Sequence, residues 1–415
     1  MKPPFSLPIV ANMATSGSGA PKRFTRRAVL LGSLFLGGAA GGSTLHQSWL
    51  SQQDEDRAER AHIMDRHRPL PIIPVYDARA TGLVGHARAR LPQMLQLRQA
   101  CIGSLTPIFR VGLRAADSLA LSWLRRTRSP YVAELESIAA LADEPGIFLL
   151  NTSYEWGCTA LAAPSAARNS ARLLRTLDWP YDGLGRLVEV VRQMGPAGEF
   201  LNVTWPGAVG VLTGMAPGRF AASINQAPAR GKEEDKWTAA HNTLQTFEHS
   251  DAWPAMHLLR HVFEAAATFE QAKQILERTP LMAPTIFTLI GVSPRETCVI
   301  ERTETEHASH TGVSSAANGW KYGHFPGDWA GLHDADARGD NEGRRRAIER
   351  YAARGSAPFA WVAEPILNSF TRLAIEADPH KGSLIVRGYE ATPADDEPNE
   401  AGPATADLHL QWPLA

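Results

Sequence analysis

Three cysteines, Cys101, Cys158 and Cys298, are the only thiols in this 415-residue chain. Their odd number and wide spacing give neither a disulfide framework nor a metal-ligand set, so one of them is open to chemistry. The stretch around Cys158 is the richest in reactive side chains. It reads Asn151-Thr-Ser-Tyr-Glu-Trp-Gly-Cys158-Thr-Ala, passes through a turn at residues 164–170, and returns as Arg172-Leu-Leu-Arg175-Thr-Leu-Asp178-Trp179. If cysteine begins one strand, and Arg175 and Asp178 end its partner, a hairpin sets residues distant in sequence side by side. A thiol, a guanidinium and a carboxylate then converge. A lone cysteine is equally a small buried hydrophobe, and on these residues alone both readings stand. His307 and His310 lie three apart with no neighbouring cysteine or second histidine pair, so no metal is expected, and no cofactor either.

The elements that would position these residues change character along the chain. From about residue 46 to 141, apolar positions such as Leu91, Met94, Leu95, Leu97 and Ile102 recur near helical spacing, which predicts a helical lead segment. Asp143-Glu144-Pro145-Gly146 is a turn signal, and beyond it short apolar runs broken by Gly and Pro read as sheet. Two hairpins are predicted, residues 209–225 around Ala216-Pro217-Gly218 and residues 285–303 around Ser293-Pro294. Between them residues 254–278 read as helix, with Met256, Leu259, Val262, Phe263 and Ala266 on one face. Thr268 opens a second helical piece and Pro280 ends it. Strands enclosing helices make a layered α+β domain. The acidic, proline-rich residues 392–406 read as a loop or tail.

Together these motifs resemble the acid ceramidase and N-acylethanolamine acid amidase family, part of the cholylglycine-hydrolase superfamily of N-terminal-nucleophile enzymes. The likeness is carried by N-x-x-Y-E before the cysteine (Asn151, Tyr154, Glu155), by Cys158-Thr159, and by Arg175 to Trp179 as R-x-x-D-aromatic. Gly210 to Gly214 with Pro217, Gly218 and Phe220, and Gly291 through Glu296 to Arg302, extend it over about residues 130 to 390. The resemblance implies a four-layer αββα sandwich preceded by a helical segment, and a precursor that cuts itself between Gly157 and Cys158. Physical chemistry agrees with such a cut. It gives Cys158 a free α-amino group, whose unperturbed pKa of about 7.7 to 8.0 makes it a usable base near neutrality. Glycine before the cut suits a strained turn. By the same resemblance, Arg175 sits beside the sulfur and favours the thiolate, while Asp178 orients the amine. Asn225 donates to the developing oxyanion, and Asn318, before an aromatic residue, is the second asparagine. Arg344 is the last member, with Arg345 an open alternative because its register departs from the family pattern. Gln226 and Gly319 depart as well. Asn225 and Asn318 each have a rival reading as turn residues.

Net charge of -1 and 44% hydrophobic content describe a globular enzyme and give nothing that steers the chain to nucleic acid. Thr25-Arg26-Arg27 before an apolar, glycine-rich stretch to Gly42 reads as a twin-arginine export signal, cleaved or kept as a membrane tether. The expected division is residues 1–45 as signal or anchor, 46–157 as a helical propeptide-like segment and 158–415 as the catalytic domain, in a periplasmic or membrane-tethered protein. The expected partner is a small-molecule N-acyl amide, lipid-like by resemblance, with a membrane surface left open and the cut fragments staying associated. Leu119 and Trp123, one helical turn apart, could wall or cover the acyl pocket. Penicillin, bile-salt or acyl-homoserine-lactone acylase activity, acyl transfer, and a non-catalytic exported binding protein are the competing functions.

Overall fold

The computed structural model describes residues 69–103, 107–152, 157–179, 181–231, 250–330, 340–352, 357–391 and 401–414. Arg26, Arg27, Tyr154 and Glu155 lie outside these. No described helix is long and apolar enough to cross a membrane.

Among the described residues the lead segment opens with a strand too short for periodicity to show, β1 (Val75–Asp77). The helices follow as α1 (Gly82–Ala89), α2 (Leu91–Gly103), α3 (Pro107–Thr127), α4 (Val132–Ala142) and α5 (Ile147–Leu150). Leu113, Ala116, Ala120, Trp123 and Leu124 make the buried stripe of α3, at the three- and four-residue spacing of one helix face. Trp123 and Leu124 pack with Leu135 and Ile138 of α4, and with Leu83 and Ala87 of α1, in a core of their own that also takes Val191 and Val209 from the rest of the chain.

Two sheets stack on the far side of this core. The first contains β1, β4 (Glu189–Gly195), β5 (Gly198–Thr204), β6 (Thr213–Ala216), β7 (Phe220–Gln226), β9 (Thr285–Gly291), β10 (Thr297–Arg302) and β11 (His307–Thr311), in that spatial order. Only β1, which comes from the lead segment, runs parallel to its neighbour; the other pairs are antiparallel. The second sheet runs β12 (Ser314–Ala316), β2 (Gly157–Pro164), β3 (Ala171–Asp178), β14 (Thr371–Asp378), β15 (Ser383–Ala391) and β16 (Ala401–Pro403). β17 (Leu408–Gln411) shares the outer edge of β15. A short pair, β8 (Ala229–Arg230) with β13 (Trp329–Ala330), stands apart. The segment expected as a tail thus supplies β16 at residues 401–403, and β17 follows it. Both satisfy the backbone edge of β15 that would otherwise lie open.

Helices α6 (Ala255–Ala265) and α7 (Phe269–Arg278) cover the outer face of the first sheet. Thr268 caps α7 by accepting a hydrogen bond from the Gln271 N–H at 3.2 Å. Phe263 of α6 stacks on Phe200 and Phe220, with centroids 5.3 and 5.0 Å apart. Gly214 is bare beneath that ring because a Cβ there would lie 2.9 Å from it. Helix α8 (Asn341–Ala352) covers the second sheet, with Ile348 packed among Leu161, Leu174 and Ala374. The order helix, sheet, sheet, helix is the four-layer α+β sandwich expected. It explains why β2 and β3 are almost continuously buried: one face meets the first sheet and the other meets α8.

Candidate active site

The hairpin of β2 and β3 sets Gly157 opposite Asp178, Cys158 opposite Leu177 and Ala160 opposite Arg175. Alternation then decides the faces. Cys158, Ala162, Leu173 and Leu177 point between the sheets, with Arg175 on the same side; Leu161 and Leu174 point toward α8. Gly157 is the first residue of β2, so the downstream side of the junction is strand, where the glycine had suggested a turn.

Cys158 is wholly buried. Its Sγ lies 3.4 Å from Nη2 of Arg175 and 3.7 Å from the carbonyl of Ile224. Nη2 of Arg175 also donates to that carbonyl at 3.0 Å, which ties the guanidinium to the facing sheet. Nε and Nη1 of Arg175 are buried without a hydrogen-bond partner, a donor set turned inward beside the sulfur. Burial pushes the Cys158 thiol up to about 11, against the downward pull of Arg175 and Arg344 and with Asp178 adding to the rise. In the uncut chain, burial therefore outweighs the cation expected to favour the thiolate. The thiol is protonated near neutrality, and a nucleophile made from it needs a base.

The other end of Cys158 is held as closely. Its backbone N–H donates to Oδ1 of Asn318 at 2.9 Å, while Asp178, expected to orient the amine after a cut, lies opposite Gly157 across the hairpin. Arg344, also wholly buried, donates through Nη1 to the Cys158 carbonyl at 2.7 Å and to the Thr159 hydroxyl at 3.1 Å. Its Nη2 reaches Oδ1 of Asn318 at 3.0 Å, and Nη1 lies 3.8 Å from Asp178. Asp178 accepts from Thr371 at 2.9 Å and Asn368 at 3.2 Å. Of the two arginines left open, Arg344 is the one that reaches Cys158, whereas Arg345 points to Glu342 and the carbonyl of Gly319. Asn225 donates from Nδ2 to the Ala317 carbonyl at 3.1 Å, and its Oδ1 is buried without a partner. All six expected residues thus gather around one cysteine. Thr159, already part of the Cys158-Thr159 motif, joins them, as do Asn341, Asn368 and Thr371, to which no sequence pattern pointed; short polar residues at element ends look like turn formers.

An apolar cleft with about 700 Å³ of empty space, its open mouth included, lies between the lead segment and the sheets. Met94 and Leu97 of α2, Ile147 and Leu150 of α5, Trp179, Trp205, Leu212 and Met256 are among its walls. Leu119 and Trp123 are not; Trp123 is sealed in the helical core and donates to the Ser250 carbonyl at 3.0 Å. Two of its walls adjoin strands that carry the site: Trp179 follows Asp178, and the Leu212 carbonyl accepts from the N–H of Ile224, though Cys158 itself does not line the cleft.

No protein-family model matches the chain. It is 31% identical over 246 residues to the N-acylethanolamine-hydrolyzing acid amidase of Oryctolagus cuniculus, across 57% of this chain and 61% of that protein. It is 26% identical over 211 residues to a probable acid ceramidase of Caenorhabditis elegans, across 46% and 52%. Among solved structures, a Caenorhabditis elegans N-acylethanolamine-hydrolyzing acid amidase ortholog matches with a TM-score of 0.43 and 20% identity, over 54% of this chain and 93% of that one. The chain therefore spans less than two thirds of the length of these sequence relatives.

Proposed function

We propose, for a chain related in sequence to proteins named N-acylethanolamine-hydrolyzing acid amidase and acid ceramidase, that Cys158 is the nucleophile of a thiol amidase, exposed when the chain cuts its own Gly157–Cys158 bond. The observation that carries this reading is that buried polar groups attend both ends of one residue. Arg175 lies on the sulfur of Cys158, and Asn318 lies on its nitrogen. A structural cysteine needs neither.

In the cut, Sγ attacks the Gly157 carbonyl and the thiol proton passes to the departing nitrogen, so the peptide C–N bond breaks as a thioester forms and frees the α-amine of Cys158; water then hydrolyses the thioester, restoring the thiol and leaving the Gly157 carboxylate. That amine is the base the buried thiol lacks. It takes the thiol proton as Sγ attacks the substrate amide. It returns the proton to the departing amine and then takes one from the water that releases the acid. Arg175 stabilises the forming thiolate. The second N–H of the Asn225 amide is the donor for the oxyanion. Arg344 and Asn318 fix the position of the amine, with Asp178 as the nearby negative charge.

The lead segment stays in place after the cut, because its contacts with the rest are buried and numerous. β1 pairs with β4, and His86 meets Glu189 at 2.6 Å with both nearly inaccessible. Arg260 of α6 bonds Glu134 of α4, and the Tyr131 hydroxyl donates to Glu264 at 2.7 Å. Asn151 holds the cleft wall by donating to Gly207 and accepting from Val209.

The cleft then receives the acyl group, which makes the preferred substrate an N-acyl amide with a long, lipid-like chain. Burying a methylene is worth about 0.8 kcal/mol, or about fourfold in kcat/KM. A series of N-acyl amides should therefore rise by about that factor for each added carbon until the cleft is filled. A flat series, or a preference for penicillin V or glycocholate, would refute the lipid-like assignment while leaving the thiol mechanism intact.

A further inference from the structure

We propose that Asn341, the first residue of α8, is a positioning residue for the N-terminal amine of Cys158, an inference that rests on the function proposed above. Its one side-chain oxygen accepts two hydrogen bonds, from the Asn318 backbone N–H at 2.7 Å and from Nη2 of Arg344 at 3.0 Å. Those two residues are the ones that hold the backbone of Cys158. Asn318 accepts from the Cys158 nitrogen at 2.9 Å, and Arg344 donates to the Cys158 carbonyl at 2.7 Å and to Asn318 at 3.0 Å. The four residues form a closed ring of contacts in which Asn341 touches neither the thiol nor the space where a substrate carbonyl would meet it.

The ring matters because Asn318 has a single side-chain oxygen to present to the amine. Its Nδ2 is fixed on the carbonyl of Gln226 at 3.0 Å, and its backbone N–H is fixed by Asn341, so the side-chain carbonyl has one direction in which to point. Gly319, the next residue, offers little resistance to reorientation once that N–H is released. An acceptor held on an ammonium group favours its charged form, and loosening the acceptor lowers the amine pKa. The charged groups facing the amine are Asp178 and Arg175 on β3, Arg344 on α8 and the thiol itself. None of these is removed by a change at Asn341.

The test uses the cut, full-length protein and a long-chain N-acyl amide as substrate. Asn341→Ala should lower kcat about tenfold to a hundredfold, the scale of a misplaced reacting group. KM should change little, and the pH limb set by the amine should move to lower pH. Asn341→Asp keeps the acceptor oxygen and should recover most of the lost rate, with its limb at higher pH than that of Asn341→Ala. The inference is overturned if Asn341→Ala is folded and cut at Cys158 yet keeps its limb, whatever happens to kcat, or if both variants lose rate equally. Loss of the cut in the unaltered protein would instead overturn the function on which this rests, so the two failures are distinguishable.

Discussion

Cys158→Ala should abolish turnover of N-acyl amides, by three orders of magnitude or more, while Cys298→Ser stays within about twofold of the unaltered protein. Both cysteines are buried, and both thiols are raised by burial, to about 11 and about 12 respectively. What separates them is company. Cys158 has a guanidinium nitrogen 3.4 Å from its sulfur and an asparagine on its nitrogen. Cys298 sits inside β10, where its sulfur lies 3.6 Å from the neighbouring Val299 carbonyl. It has no junction that would give it an amine, and a thiol raised that far and left without a base is a small hydrophobe. Initial rates on the purified variants, normalised to folded protein by circular dichroism, decide the matter. Equal losses from the two substitutions would contradict the assignment.

Arg344→Leu should have the second largest effect, with activity reduced at least a hundredfold, and Arg345→Leu should lose less than about tenfold. Arg344 is wholly buried and bonded to the Cys158 carbonyl, Thr159, Asn318 and Asn341. Removing it strands the Asp178 carboxylate, 3.8 Å away, in the interior. Loss of one member of a buried charge pair costs about 3–5 kcal/mol, so a lower melting temperature should accompany the lost rate. Arg345 is largely covered but is hydrogen-bonded to neither Cys158 nor Asn318; its carboxylate partner Glu342 is half-exposed, where solvent screens the pair. Thermal melts and rates on the two variants check both halves; similar losses in the two would contradict the geometry of α8.

Much of this arrangement can be read from residue types alone. The apolar runs on either side of residues 164–170 fall on β2 and β3, and the hairpins around residues 217 and 294 fall on strand pairs, because turn chemistry and burial are local. Helix α7 likewise begins beside the Thr268 cap. Three things were not legible. β1 is three residues long and acquires its strand conformation only by pairing with β4, a contact across more than a hundred residues. β16 begins in a stretch rich in acid and proline, where edge pairing with β15 overrides composition. The ring of Asn341, Asn318 and Arg344 depends on where α8 docks on β2, and no spacing along the chain encodes that. The same docking turns Arg344, and not Arg345, onto Cys158. A helix turns about 100° per residue, so only one of two adjacent side chains can face the strand.

The self-cut at Gly157–Cys158 is the central claim, and the mass of the active protein under denaturing conditions tests it most directly. Protein that turns over N-acyl amides should give two fragments, the downstream one beginning at Cys158 with a free α-amine, and Cys158→Ala should give a single uncut chain. Full activity in a preparation that contains only the uncut chain would contradict it, because the buried thiol would then be working without the base assigned to it here.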